Sequence, residues 1–180
     1  MFVMGHVGCT LGIMVIIAMM VPGLRYRVDL RFVLVGALLP DIIDKPIGHI
    51  IFASSIGYGR LFGHTLLFVL LLAAIGFFLH GKNRDNALCL SFATFLHLLE
   101  DRMWELPKVL FYPMYGFDLP SRTGAYEHWY DYFVTMTVDS YAPSLSYVFV
   151  SEIVGICVIV VLCIVFADSL RKDRKPRRRV

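Results

Sequence analysis

From Tyr147 to Ala167 the chain is a near-continuous run of Val, Ile, Leu, Phe and Cys in which Glu152 is the single charged residue. A bilayer-crossing helix needs about 20 consecutive apolar residues. Only a helix or a closed barrel satisfies every backbone N–H and C=O where water is absent. This stretch therefore predicts a membrane-spanning helix. Composition extends the conclusion to the whole chain. Of 180 residues, 58% are hydrophobic and 17% charged, against roughly 25% charged in an ordinary soluble domain. Mean hydropathy is +0.69. These values exclude a soluble globular domain and predict an all-α, polytopic membrane helical bundle.

Further apolar segments run from Val7 to Val21, Phe32 to Pro40, Thr65 to Leu79 and Ala87 to Leu99. Each falls short of a full span, so it must tilt, thin the bilayer or shelter behind its neighbours. The expectation is about five membrane-inserted helices in a single membrane-embedded domain over residues 1–170. The first segment lacks a basic n-region and a small-residue cleavage site before Arg25, so it reads as a retained helix. Cys9, Cys89, Cys157 and Cys163 lie in apolar runs with no C-x-x-C pair, which points to neither a disulfide framework nor a thiolate zinc site.

Threading the chain through each segment in turn collects Arg25, Arg27 and Arg31, then Lys82 and Arg84, then the tail "RKDRKPRRR" from Arg171, on one face. The positive-inside rule makes that face cytoplasmic. Residues 171–180 thus form a basic cytoplasmic tail beside anionic lipid. The expected setting is the inner (cytoplasmic) membrane, multi-pass, with the bilayer as partner and no nucleic acid.

The same threading places the unusual residues on the opposite face. His6 opens the first helix, Asp41 and Asp44 close the second, His64 opens the third, and His97 with Asp101 closes the fourth. Ionisable groups at membrane depth are costly and face a bundle interior or a wet cavity, which makes each a site candidate. Imidazole and carboxylate together suit zinc and other divalent transition metals. Asp41 and Asp44 stand at i,i+3 and His97 and Asp101 at i,i+4, so each pair shares a helical face. Six such ligands suffice for one metal, or for two about 3.5–4 Å apart. Simpler roles stay open: Asp41 as a helix end after Pro40, Asp44 as a partner of Lys45 or Arg60, Glu100 as a solvated neighbour, and His49 and His80 as interfacial residues.

In order, "GH" at 5–6, "LLPDIID" at 38–44, "RLFGHT" at 60–65 and "HLLED" at 97–101 resemble the YdjM-like inner-membrane proteins, a family grouped with metal-dependent hydrolases and similar to the zinc-dependent phospholipase C and nuclease group. The resemblance covers about residues 1–115. It implies a polar site of His6, Asp41, Asp44, His64, His97 and Asp101, where the mix of nitrogen and oxygen ligands suits one or two divalent ions, zinc first among them. It also places Arg60 beside that site, with Asp44, Arg60 and Asp101 as the catalytic candidates. One position departs from the family pattern: Gly59 stands where a histidine usually precedes the arginine. That leaves a ligand missing unless His49 or His128 substitutes.

Residues 102–146 are rich in aromatics and broken by Pro107, Pro113, Pro120 and Pro143. Trp and Tyr favour the headgroup level, so this region reads as an extracytoplasmic interfacial cap or as a lid over the polar site. Its "YEHWYDYF" adds Glu127, His128 and Asp131 as further candidates. The expected function is a membrane-embedded metal-dependent hydrolase acting on a phosphoester or related ester of a membrane lipid. The alternative is a small ion- or proton-handling transporter, or a non-catalytic membrane scaffold.

Overall fold

The computed structural model describes residues 1–80, 85–118, 120–121 and 128–173. Lys82, Arg84, Arg122, Glu127 and the tail from residue 174 lie outside them. Among the described residues all regular structure is helical: α1 (Val3–Met20), α2 (Leu30–Pro46), α3 (Leu66–His80), α4 (Asn86–Glu100), the short α5 (Pro107–Leu110), α6 (Trp129–Tyr141) and α7 (Tyr147–Asp173). Each apolar segment expected from the sequence falls, to within one residue, in one of α1 to α4 or α7. By length and composition α1 and α7 are able to cross a membrane, whereas α3 and α4 are shorter apolar helices. All four cysteines are free.

One boundary differs. The second apolar segment was expected to end at Pro40, but α2 runs through it to Pro46 and continues as a π-helical turn, Ile47–Ile51. A proline inside a helix leaves the carbonyl four residues earlier without its N–H partner. Here that carbonyl belongs to Gly36, and Thr94 Oγ1 of α4 lies 3.3 Å from it, sharing its proton with the Leu90 carbonyl. Re-satisfaction by a neighbouring Thr is how buried helices tolerate proline. Asp41 and Asp44 are therefore held within the helix, and not at a frayed end. At the other terminus Asp29 caps α2, accepting from the Arg31 N–H at 3.0 Å.

Packing sets the directions. Helices α1 and α7 run side by side and parallel, with Gly8 against Gly155: a Cβ on Gly8 would stand 2.2 Å from the Gly155 carbonyl oxygen. Backbones approach this closely only where both residues are small. Glu152 resolves the oddity of a charge within α7. It is fully buried and accepts from the N–H groups of Phe2 (3.1 Å), Met4 (3.0 Å) and Gly5 (2.8 Å), and from the Tyr141 hydroxyl (3.1 Å). The carboxylate satisfies the orphan donors at the start of α1, where the helix dipole favours negative charge. Helices α2 and α4 are also parallel, and α3 returns antiparallel to α4, joined by Ser91 Oγ to the Val69 carbonyl at 3.1 Å. Apolar side chains fill two cores, one around Met14, Val33, Cys89, Ala93 and Leu96, the other around Val69, Leu98, Met103 and Val109. Leu70, Phe77, Val161, Ile164 and Phe166 face outward. The start of α1, the ends of α2 and α4 and the start of α7 meet at one end of the bundle.

Candidate metal centre

Three histidines meet at that end, each fully buried, and each has its Nδ1 engaged by the protein. His6 Nδ1 is 2.9 Å from Glu100 Oε2, His64 Nδ1 2.7 Å from Asp44 Oδ2, and His97 Nδ1 donates to the Ala37 carbonyl at 2.7 Å. A histidine held this way has its tautomer and ring direction set, and its Nε2 is turned toward whatever the site holds. The His64 and His97 Nε2 atoms lie 3.3 Å apart, and the His6 and His97 rings stack with centroids at 3.9 Å. His6 Nε2 is buried without a hydrogen-bond partner among the described residues; Asp101 Oδ1 is 3.2 Å away but outside hydrogen-bond geometry.

Two carboxylates complete the group. Asp41 Oδ1 is 3.6 Å from His64 Nε2 and 3.9 Å from His97 Nε2, while its Oδ2 takes the Lys45 ammonium at 2.6 Å. Asp101 Oδ2 is 3.7 Å from His64 Nε2 and accepts Arg60 Nε at 2.9 Å; its Oδ1 accepts the Met1 amine. Two overlapping sets, His6, Asp41 and His97, and His64, His97 and Asp101, bring their ligand atoms within 4.8 Å of one another. Asp44 differs in role. Its carboxylate takes the N–H groups of Leu61 (2.6 Å), Gly63 (2.9 Å) and His64 (3.1 Å) besides the His64 ring, so all of its acceptor capacity is directed at the 61–64 loop.

Electrostatics follow from this density of acids. For His64, burial disfavours the imidazolium, but Asp101, Asp41 and Asp44 outweigh it and push the pKa up to about 10. For Asp101, burial opposes ionisation, yet His6, His64, the Met1 amine and Arg60 hold its carboxyl far below the usual range. His49 moves the other way: burial, then the Lys45 charge, push it down to about 4.

The sequence-level candidates separate cleanly. His6, Asp41, His64, His97 and Asp101 come together, with Asp44 and Arg60 in contact with them. His49 lies beside Gly59, in the space a side chain at that position would claim: a Cβ there would be 2.7 Å from His49 Nε2. It belongs to neither ligand set. His128 is exposed, 3.5 Å from Asp131 and stacked on Tyr130, and His80 pairs with Asp85 at the far end of α3. Glu100, expected to be a solvated neighbour, instead binds His6 and, at 2.9 Å, Thr10 Oγ1. Its angle from Asp101 on α4 turns it toward α1, a neighbour that single-helix geometry does not reveal. Lys45, offered by the sequence as a partner of Asp44, pairs instead with Asp41, as their i,i+4 spacing allows.

Fold and site together define a class: a small all-helical membrane protein with a buried His/Asp cluster at one end of its bundle. The chain belongs to the YdjM inner membrane protein family, whose model matches residues 1–171. That span runs past residue 115, where the resemblance carried by the motifs ends, and takes in α6 and nearly all of α7. No curated protein and no solved structure matches the chain.

Proposed function

We propose that this protein is a membrane-embedded, metal-dependent hydrolase acting on a phosphoester or related ester of a membrane lipid. The observation that carries the reading is the orientation of His6, His64 and His97: each Nδ1 is held, the Nε2 atoms converge, and that of His6 is buried without a hydrogen bond, with Asp101 Oδ1 3.2 Å away. Buried polar atoms are seldom left unsatisfied. Nitrogen and carboxylate donors at such distances suit zinc. His6, His64, His97, Asp41 and Asp101 would hold one or two ions, with Asp44 orienting His64 and Glu100 orienting His6. A divalent metal in that place supplies a Lewis acid and makes water acidic enough to be a nucleophile near neutral pH. Arg60, anchored by Asp101, offers an anionic substrate charge-assisted hydrogen bonds. In the same proposal α1 to α4 and α7 all enter the bilayer, the tail is cytoplasmic, and residues 102–146 cap the site from outside. Ion or proton handling finds less support, because a conducting path needs ionisable groups along its length and Glu152, the acid within the apolar run of α7, is committed to the start of α1.

Turnover of a phospholipid panel by detergent-solubilised protein, with and without chelator, tests the proposal. Chelator-sensitive hydrolysis that falls sharply in Arg60→Ala and Asp44→Asn is the expected result. No turnover by metal-loaded protein, together with metal or proton flux in liposomes, would transfer the site to transport.

A further inference from the structure

A cavity of about 170 Å³ adjoins the cluster. Asp41 and Asp101 of the cluster are among the residues that line it, as are Lys45, His49, Arg60 and Tyr132. We infer that this cavity is a subsite for a terminal phosphate, with Lys45 and Arg60 gripping its oxygens and His49, seated over Gly59, closing one side. The inference rests on the metal-dependent reading above and narrows its substrate class to phosphomonoesters or the free end of a diphosphate.

Charge is the first reason. Among the charged side chains that line the cavity, Lys45 and Arg60 balance Asp41 and Asp101, so one divalent metal would leave two positive charges in excess there. A phosphomonoester carries about −1.5 to −2 at pH 7, whereas a phosphodiester carries a single negative charge per phosphate. The excess matches the monoester. Lys45 uses one of its three N–H donors on Asp41, and Arg60 its Nε on Asp101. Each cation is thus fixed in direction by a carboxylate of the cluster, which aligns donors for the phosphate with the hydrolytic centre.

Size is the second. Pockets for drug-sized ligands run to about 300–1,000 Å³, so this cavity takes a phosphate and little more. A terminal phosphate has one substituent to lead outward; a diester has two. Gly59 preserves the space, because its missing side chain lets the His49 ring lie against the backbone, where a Cβ would be 2.7 Å from Nε2. His49 also stacks on Tyr132 of α6, with ring centroids 3.6 Å apart, which ties the cavity wall to the region over the site.

The test uses full-length, zinc-loaded protein in detergent, with bound zinc and inorganic phosphate affinity measured on the same samples. Wild type should bind phosphate at the metal-loaded site. Lys45→Met should weaken it by about tenfold to a hundredfold, the value of one charge-assisted hydrogen bond. Gly59→Leu, which fills the cavity and leaves every charge in place, should abolish phosphate binding while retaining zinc. Zinc-loaded wild type that ignores phosphate, or Gly59→Leu that binds it normally, overturns the subsite and leaves the metal centre standing. Absence of bound zinc overturns both. Vesicles containing phosphatidic acid, set against vesicles of phosphatidylcholine and against soluble glycerol phosphate, separate the sources. Release of phosphate from either monoester supports the inference, the faster one naming the source, and preferential cleavage of the diester lipid overturns it.

Discussion

His97 sits at the centre of the cluster, its Nδ1 tied to α2 and its Nε2 shared between both candidate ligand sets. His97→Ala or Asp41→Ala should therefore cost most of the bound metal in purified protein, while His80→Ala, at the opposite end of α3, should cost none. Equal metal content in the three variants, measured by elemental analysis, would rule out the assigned ligands. His64 supplies a pH dependence. Its pKa in the metal-free fold is pushed up to about 10, above the ordinary value of about 6.5. A group raised on folding contributes stability that is complete below its unfolded pKa and is lost as pH rises through the folded one. The chelated protein should accordingly lose melting temperature between pH 6.5 and 10, and His64→Gln should flatten that slope. Metal and proton compete for the same nitrogen, so metal affinity should rise over the same interval.

At the scale of elements, helix ends bring the site together. Glu152 of α7 caps α1 immediately before His6, and one buried acceptor left out of such a set costs about 1–3 kcal/mol. Glu152→Ala should destabilise the protein by about that much and lower metal content through misplacement of His6, whereas Glu152→Gln, which keeps an acceptor oxygen, should recover part of both. Denaturation followed by metal analysis distinguishes the two variants. The α2 and α4 pair is joined by similar means: Thr94 takes up the carbonyl that Pro40 leaves open, and the next carbonyl, of Ala37, holds His97. A proline that looks like a helix stop in one dimension is thereby made part of the frame that aims Asp41.

For the whole molecule, the proposed threading predicts that reporter or cysteine-accessibility labels at positions 82 and 122 report opposite sides of the membrane. The same answer at both would remove the cytoplasmic placement of the tail and the outward placement of the site. The short α4 fits this arrangement because it is packed between α2 and α3. The outward-facing Leu70, Phe77, Val161, Ile164 and Phe166 meet hydrocarbon in the same arrangement.

Hydropathy located α1 to α4 and α7, and the scarcity of ionisable side chains in so apolar a chain singled out the candidate site residues. From residue order alone His6, Asp41, Asp44, His64, His97 and Asp101 stood out, and all but Asp44 form the two candidate ligand sets. Their division of labour did not follow. Asp41 and Asp44 are alike in the sequence, yet one carboxylate turns toward the imidazoles and the other is consumed by the N–H groups of the 61–64 loop. Glu100 and Glu152 acquired their roles from α1, a helix distant from both in sequence. A side chain's type and its own helix set what it is able to donate or accept; which group it meets is decided by packing between helices, and that information exists only in the tertiary structure.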